Sequence, residues 1–130
     1  MIQQFIELGQ GYGDVYELCE LIRTNESRFH HAFIFTATNE NGNKVASLAV
    51  AFKPVGESKF MPIYICREGI PYNEEKLSQR IELFKQAVSS LGKQPILFET
   101  KHSSIFTETI QYYQYTIGLL RLNNYIPPMH

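Results

Sequence analysis

The densest groups of chemistry-bearing side chains fall in two short stretches, Cys66-Arg67-Glu68-Gly69 and Glu99-Thr100-Lys101-His102. If both stretches end strands that run in the same direction, Arg67, Glu68, Glu99, Lys101 and His102 gather at the carboxyl ends of one sheet. That is where open α/β sheets bind ligands. Two cations and an imidazole would suit a small anionic ligand or a nucleotide. The plainer reading of the same residues is a solvated salt-bridge network at strand ends. Cys66 stands beside Arg67, and a neighbouring cation can lower a thiol pKa and make it a nucleophile. A cysteine at a strand end is nevertheless more often a small apolar filler, and that is the expectation here.

Other reactive types are dispersed. His30 and His31 are adjacent, so on a strand they point to opposite faces and cannot chelate one ion. His102 and His130 are distant in sequence, and no C-x-x-C, H-x-x-x-H or carboxylate cluster is present. No metal site and no cofactor is expected. The turn Gly9-Gln10-Gly11-Tyr12-Gly13 precedes a helix, a place that can cradle phosphate. Its G-x-G-x-G spacing is neither a dinucleotide fingerprint nor a P-loop, and Asp14 would repel an anion, so a plain tight turn is expected.

The elements that must position these residues are legible in the apolar pattern. Residues 1–8 read as a short strand. Val15, Leu18, Cys19 and Ile22 recur at helical spacing, which predicts a helix over about 14–25, with Asp14 at its N-cap and Glu17 three residues on. Residues 28–38 and 44–53 read as strands joined at Asn41-Gly42, a strong hairpin signal. Residues 60–66 form the next strand, which Pro62 places at an edge or a bulge. Asn73, with Glu74 and Glu75, suits the cap of a second helix carrying Leu77, Ile81, Phe84, Val88 and Leu91, stopped at Gly92. Residues 95–100 make a strand. A last helix over about 104–122 shows Phe106, Ile110, Tyr113, Ile117 and Leu120 on one face and ends at Asn123-Asn124.

The order is (β)-α-β-β-β-α-β-α. It predicts a single domain over 1–130, of mixed α+β class, with helices packed on a mixed sheet. A helix, three strands, a helix and a strand also make up the core of the restriction-endonuclease-like fold, and Glu99 and Lys101 share the E-x-K spacing of its nucleases. In those enzymes the motif lies on the third core strand, before the crossover helix. Here that strand, 60–66, carries no carboxylate, which excludes an active nuclease and leaves a fold analogy alone.

Composition narrows the function class. The 130 residues carry 12 Lys and Arg against 13 Asp and Glu, for a net charge of −1, with no run of one sign. A nucleic-acid partner is therefore disfavoured. No apolar run approaches the span of a bilayer, and the start of the chain lacks a signal-peptide pattern, so no membrane partner is expected. Two cysteines do not staple a chain of this length, and a reduced, cytoplasmic protein is the simpler expectation.

The end of the chain is rich in tyrosine. Tyr112 and Tyr115 lie off the apolar stripe of the last helix, and Tyr125 and Ile126 open an extended tail with Pro127 and Pro128. Aromatic residues of this kind suit an interface. They suit equally well a lid over the sheet of their own chain.

Three stretches, MIQQFIELGQGYGDVYEL, PIYICREGIP and YYQYTIGLLRLNNYIPPM, resemble a family of short proteins of unknown function from spore-forming and related Gram-positive bacteria. The resemblance spans nearly the whole chain and implies no activity. Some family members carry a methylthioribose kinase label. This sequence has no Gly-rich loop followed by a Lys strand, no H-x-D loop and no D-F-G-like metal site, and it is too short for a two-lobed kinase. The leading expectation is a small non-enzymatic interaction or regulatory domain that forms a homodimer. The alternative is a binder of a small anionic ligand, or a weak enzyme, using the cluster around Arg67 and Lys101.

Overall fold

The computed structural model of the protein describes residues 2–8 and 12–128. Five strands form one mixed sheet: β1 (Ile2–Glu7), β2 (Phe29–Thr38), β3 (Lys44–Phe52), β4 (Phe60–Pro71) and β5 (Ile96–Glu99). Their spatial order is β1-β4-β3-β2-β5. The meander β2-β3-β4 is antiparallel, whereas β1 pairs parallel to β4 and β5 parallel to β2 at the two edges. Helices α1 (Tyr12–Thr24) and α2 (Gln79–Ser89) cover one face, and α3 (Thr109–Leu122) covers the other. The expected element order and the mixed α+β class hold.

Cover on both faces explains why β2 and β3 are apolar almost without alternation. From β3, Ala46, Leu48, Val50 and Phe52 join Val15, Leu18, Ile22, Ile81, Phe84 and Val88 beneath α1 and α2. On the opposite face Ala49 and Ala51 are small, which leaves room for Phe33, Phe35, Ile63 and Tyr112 under α3.

Several expected boundaries shift, each for a local reason. The first helix begins at Tyr12, so Asp14 lies in its first turn, favourable to the helix dipole, and not at the cap. The expected turn at Gly9–Gly11 lies outside the described residues. Asn73 does not cap α2. Its side-chain oxygen accepts from the Glu75 backbone N–H at 2.9 Å in a local turn. The cap is Ser78, whose hydroxyl accepts from Ile81 N–H at 3.4 Å. The last helix starts at Thr109, after a short 3-10 turn over Ser103–Ile105, and Glu108 with Gln111 forms a capping box there.

Pro62 lies in an interior strand, not at an edge. Ile2 N–H donates to Lys59 C=O and Leu8 N–H to Ile65 C=O, so the odd-numbered residues of β4 bond to β1. Pro62 therefore turns its missing donor toward β3, just past Ala51–Ile63, where that ladder ends. The strand also continues well beyond Cys66. Leu48 pairs with Cys66 and Ala46 with Ile70, so Arg67-Glu68-Gly69 bulges out opposite Ser47 before pairing resumes.

The Asn39–Asn43 connection closes on a bond from Asn39 N–H to Asn43 C=O at 2.8 Å, with Gly42 at φ +80°. It is a three-residue hairpin loop with glycine in the left-handed position, not the two-residue turn in which both central residues have positive φ. At the other end of the chain, Asn124 takes φ +64°. Tyr125 N–H then reaches Leu120 C=O at 2.9 Å and Asn124 N–H reaches Arg121 C=O at 3.0 Å, a Schellman stop. That stop folds the tail back across the sheet.

Candidate functional site

β1 is an edge strand, and its alternation decides what the edge offers. The N–H groups of the even-numbered residues point to β4, so those of Gln3, Phe5 and Glu7 point outward, away from the sheet. The side chains of the same three residues lie under α3. Phe5 stacks on Tyr113 with ring centroids 4.6 Å apart. Glu7 accepts a hydrogen bond from the Tyr113 hydroxyl and an ion pair from Arg67 Nε at 3.2 Å. Gln3 Oε1 accepts from the Arg121 guanidinium, and Gln3 Nε2 donates to Pro127 C=O at 2.8 Å. Between this edge and α3 runs a groove of about 540 Å³, floored by Gln3, Phe5 and Glu7 and walled by Ile110, Tyr113 and Ile117.

The apolar wall arises because α3 is apolar over a wider arc than its own sheet covers. Its buried residues are Tyr112, Tyr113, Thr116 and Leu120. The expected stripe through Ile110 and Ile117 is therefore rotated: Ile110 is 55% exposed and Ile117 only half-buried. Phe106 precedes the helix and packs its ring against Tyr112 and Tyr115.

The five residues singled out as a strand-end cluster are not gathered in one place. Arg67 sits in the β4 bulge and reaches Glu7 and, through a 3.3 Å hydrogen bond, Thr109 Oγ1. Glu68 follows it in the bulge, and its side chain is outside the described set. β4 and β5 do run in the same direction, but β3 and β2 lie between them. At about 4.8 Å per strand that separates them by roughly 14 Å. Glu99 ends β5 exposed. Lys101 follows, with its Nζ 5.9 Å from the Tyr115 ring centre and its backbone N–H 3.2 Å from the Tyr115 hydroxyl. His102 caps the next turn, its Nδ1 accepting from Ser104 N–H at 3.1 Å.

Two further expectations are corrected. Cys66 lies mid-strand and fully buried, and burial, with Asp14 and Glu17 nearby, pushes its thiol up to about 12. Its place within the strand differs from the expected strand end, while its role is the apolar filler expected. His30 and His31 do not point apart, because the β2–β3 register slips between Phe29 and His31, and their ring centroids stand 4.5 Å apart. His30 Nε2 hydrogen-bonds Tyr125 C=O at 2.9 Å, and His31 meets the Tyr125 ring edge-on. Burial lowers the pKa of both imidazoles. Among the described residues no group of three or more His, Cys, Asp or Glu could hold a metal ion.

Of the four residues assigned to an interface, Tyr112 and Ile126 are buried in their own chain, and Tyr125 is half-buried against Phe33 and Phe98. Tyr115 is half-buried between Phe106 and Lys101. They form a lid over the sheet. Sequence reasoning missed Gln3, Glu7, Thr109 and Arg121. The signal was present in Gln3-Gln4-Phe5-Ile6-Glu7, whose alternation sets Gln3, Phe5 and Glu7 on one face.

The fold and the groove together define a small mixed α+β domain in which, among the described residues, the β1 edge has no further strand paired to it beside an under-covered helix. No helix among the described residues is long and apolar enough to cross a membrane. The chain belongs to a family whose model matches residues 1–126, described as a domain of unknown function (DUF7147). Comparison with curated proteins and with solved structures returns no match.

Proposed function

We propose that this chain is a small interaction domain, without catalytic duty of its own, that docks an extended protein segment along β1. The observation that carries this reading is the open β1 edge, whose outward backbone groups run beside the groove under Ile110 and Ile117. Adding a strand to such an edge gives affinity through main-chain hydrogen bonds and specificity through the side chains on either side. The rival reading, an anionic ligand at Arg67 and Lys101, has less support, because Arg67 is held by Glu7 and Lys101 faces a tyrosine ring. Two buried free thiols, Cys19 and Cys66, suit a reducing cytoplasm.

Amide hydrogen exchange tests the docking edge. The probe is a synthetic peptide of residues 2–8, which carries the alternation of β1 itself. Saturating peptide, or self-association of the chain, should slow exchange at Gln3, Phe5 and Glu7 by at least tenfold while leaving the Asn39–Asn43 loop unchanged. If these three amides exchange at loop rates at every chain and peptide concentration, the edge docks nothing and the reading fails.

A further inference from the structure

An open edge is a hazard that proteins normally blunt with proline, lysine, a bulge or a very short strand. The two edges of this sheet differ in that respect. β5 has four residues and is bracketed by Lys93, Pro95 and Lys101. β1 has six residues, Ile2-Gln3-Gln4-Phe5-Ile6-Glu7, without proline, lysine or bulge, and its single charge is paired with Arg67. Ile2 is 60% exposed and Ile110 55% exposed at the same border.

We infer that the segment docked on β1 is the β1 strand of a second copy of this chain, paired antiparallel about a two-fold axis through Phe5. This rests on the reading of β1 as a docking edge and names its occupant. The phase of the hydrogen bonds restricts the register to pairings of odd-numbered residues, and full overlap selects one of them. Only residues whose N–H and C=O groups point outward can form hydrogen-bonded pairs, and these are Gln3, Phe5 and Glu7. Full overlap then sets Phe5 against Phe5 of the other copy, Gln3 against Glu7, and Gln4 against Ile6. Charge supports the same register. Each Glu7 carboxylate comes opposite a Gln3 whose side-chain amide oxygen Oε1 already accepts from the Arg121 guanidinium. The two α3 helices then flank the axis on one face, and Ile110 and Ile117 of each gain apolar cover. Two five-stranded sheets become one of ten strands.

Cysteine pairing reads the register directly. In this register Gln4 and Ile6 of the other copy form a pair whose Cα atoms stand about 4.5 Å apart, within disulfide reach. Gln4 and its own counterpart are diagonal neighbours at roughly 7–8 Å, beyond easy bridging. Differently tagged Gln4→Cys and Ile6→Cys chains, refolded together and mildly oxidised, should give a mixed disulfide dimer at least tenfold above the like-with-like product. Light scattering on the unsubstituted chain should give twice the chain mass at high micromolar concentration. A like-with-like product that equals the mixed one overturns the register. A single-chain mass for the unsubstituted protein overturns the self-pairing, and if the peptide still slows exchange at Gln3, Phe5 and Glu7, the docking edge survives without it.

Discussion

Among the described tail residues Ile126 alone has a fully buried side chain, and replacing it by alanine isolates what that segment contributes. It is 2% exposed, in the cluster that holds Phe33, Phe35, Ile63 and Leu120. Its neighbours fix it in place: His30 holds the Tyr125 carbonyl at 2.9 Å and Gln3 holds that of Pro127 at 2.8 Å. Ile126→Ala removes three carbons, worth about 0.8 kcal/mol each as buried surface. A residual cavity adds to this, though a segment outside regular structure can settle inward and close part of it, so the total falls at about 2–3 kcal/mol, in the lower part of the range for such substitutions. For a domain of this size the melting temperature should drop by about 10 °C. Urea denaturation followed by far-ultraviolet circular dichroism should show a lower midpoint with an unchanged slope. The shift should be the same at 2 and at 200 μM chain, as these ~100-fold spaced concentrations separate packing within a chain from packing between chains. A loss below about 0.5 kcal/mol would show that the tail is free. A loss that changes with chain concentration would show that Ile126 packs on another subunit.

Other perturbations probe the rest of the fold. Phe84, fully buried between α2 and the sheet, should cost about 3–5 kcal/mol on truncation to alanine, measured by the same denaturation, and a parent-like midpoint would refute the packing of α2. His30 and His31 have imidazole pKa values held below the ordinary 6.5 by burial, with Lys53 and Lys93 adding to the effect, so the unfolded chain takes up more protons than the folded chain as pH falls below about 6.5. Stability should therefore be full above that pH and decline on acidification toward pH 5, and the slope should flatten in a His30→Gln, His31→Gln variant. Cys19 and Cys66 are buried, with thiols pushed upward by burial, so a thiol reagent should label neither until the chain unfolds. Rapid labelling in native buffer would contradict their place in the core.

What the sequence made legible was periodic. The faces of α1 and α2 follow from Val15, Leu18, Cys19 and Ile22, and from Ile81, Phe84 and Val88, because each helix has one sheet face to cover and its stripe reports that face. α3 misled because its apolar arc serves two surfaces. Tyr112 and Thr116 face the sheet, while Ile110 and Ile117 face the groove, and a stripe read as one face averages them. The end of β4 was hidden by chemistry, since Arg67-Glu68-Gly69 looks like a loop and a bulge was needed to keep pairing through it. The strand-end cluster failed for a topological reason. The crossover through α2 carries the chain past β3 and β2 to the far edge, and no local pattern records how many strands a crossover skips. Gln3 and Arg121 could not be paired from sequence, since their contact depends on α3 crossing the sheet face beside the first strand.

The parallel pairing of both edge strands bears on the order in which the molecule assembles. Ile2 pairs with Phe60 and Phe33 with Ile96, so each edge joins residues roughly sixty positions apart in the chain, whereas Thr38 and Lys44 meet across a short loop. Closing a long loop costs entropy before any contact is made, so the β2-β3-β4 meander is the natural nucleus, and β1 and β5 join it late. Destabilising substitutions in β2 or β3 should then slow folding, whereas those in β1 should chiefly hasten unfolding. The same late arrival gives β1 a lifetime as a free strand, next to a meander whose β4 edge awaits one. A strand from a neighbouring chain can fill that place, so at high concentration refolding runs the risk of exchanged first strands.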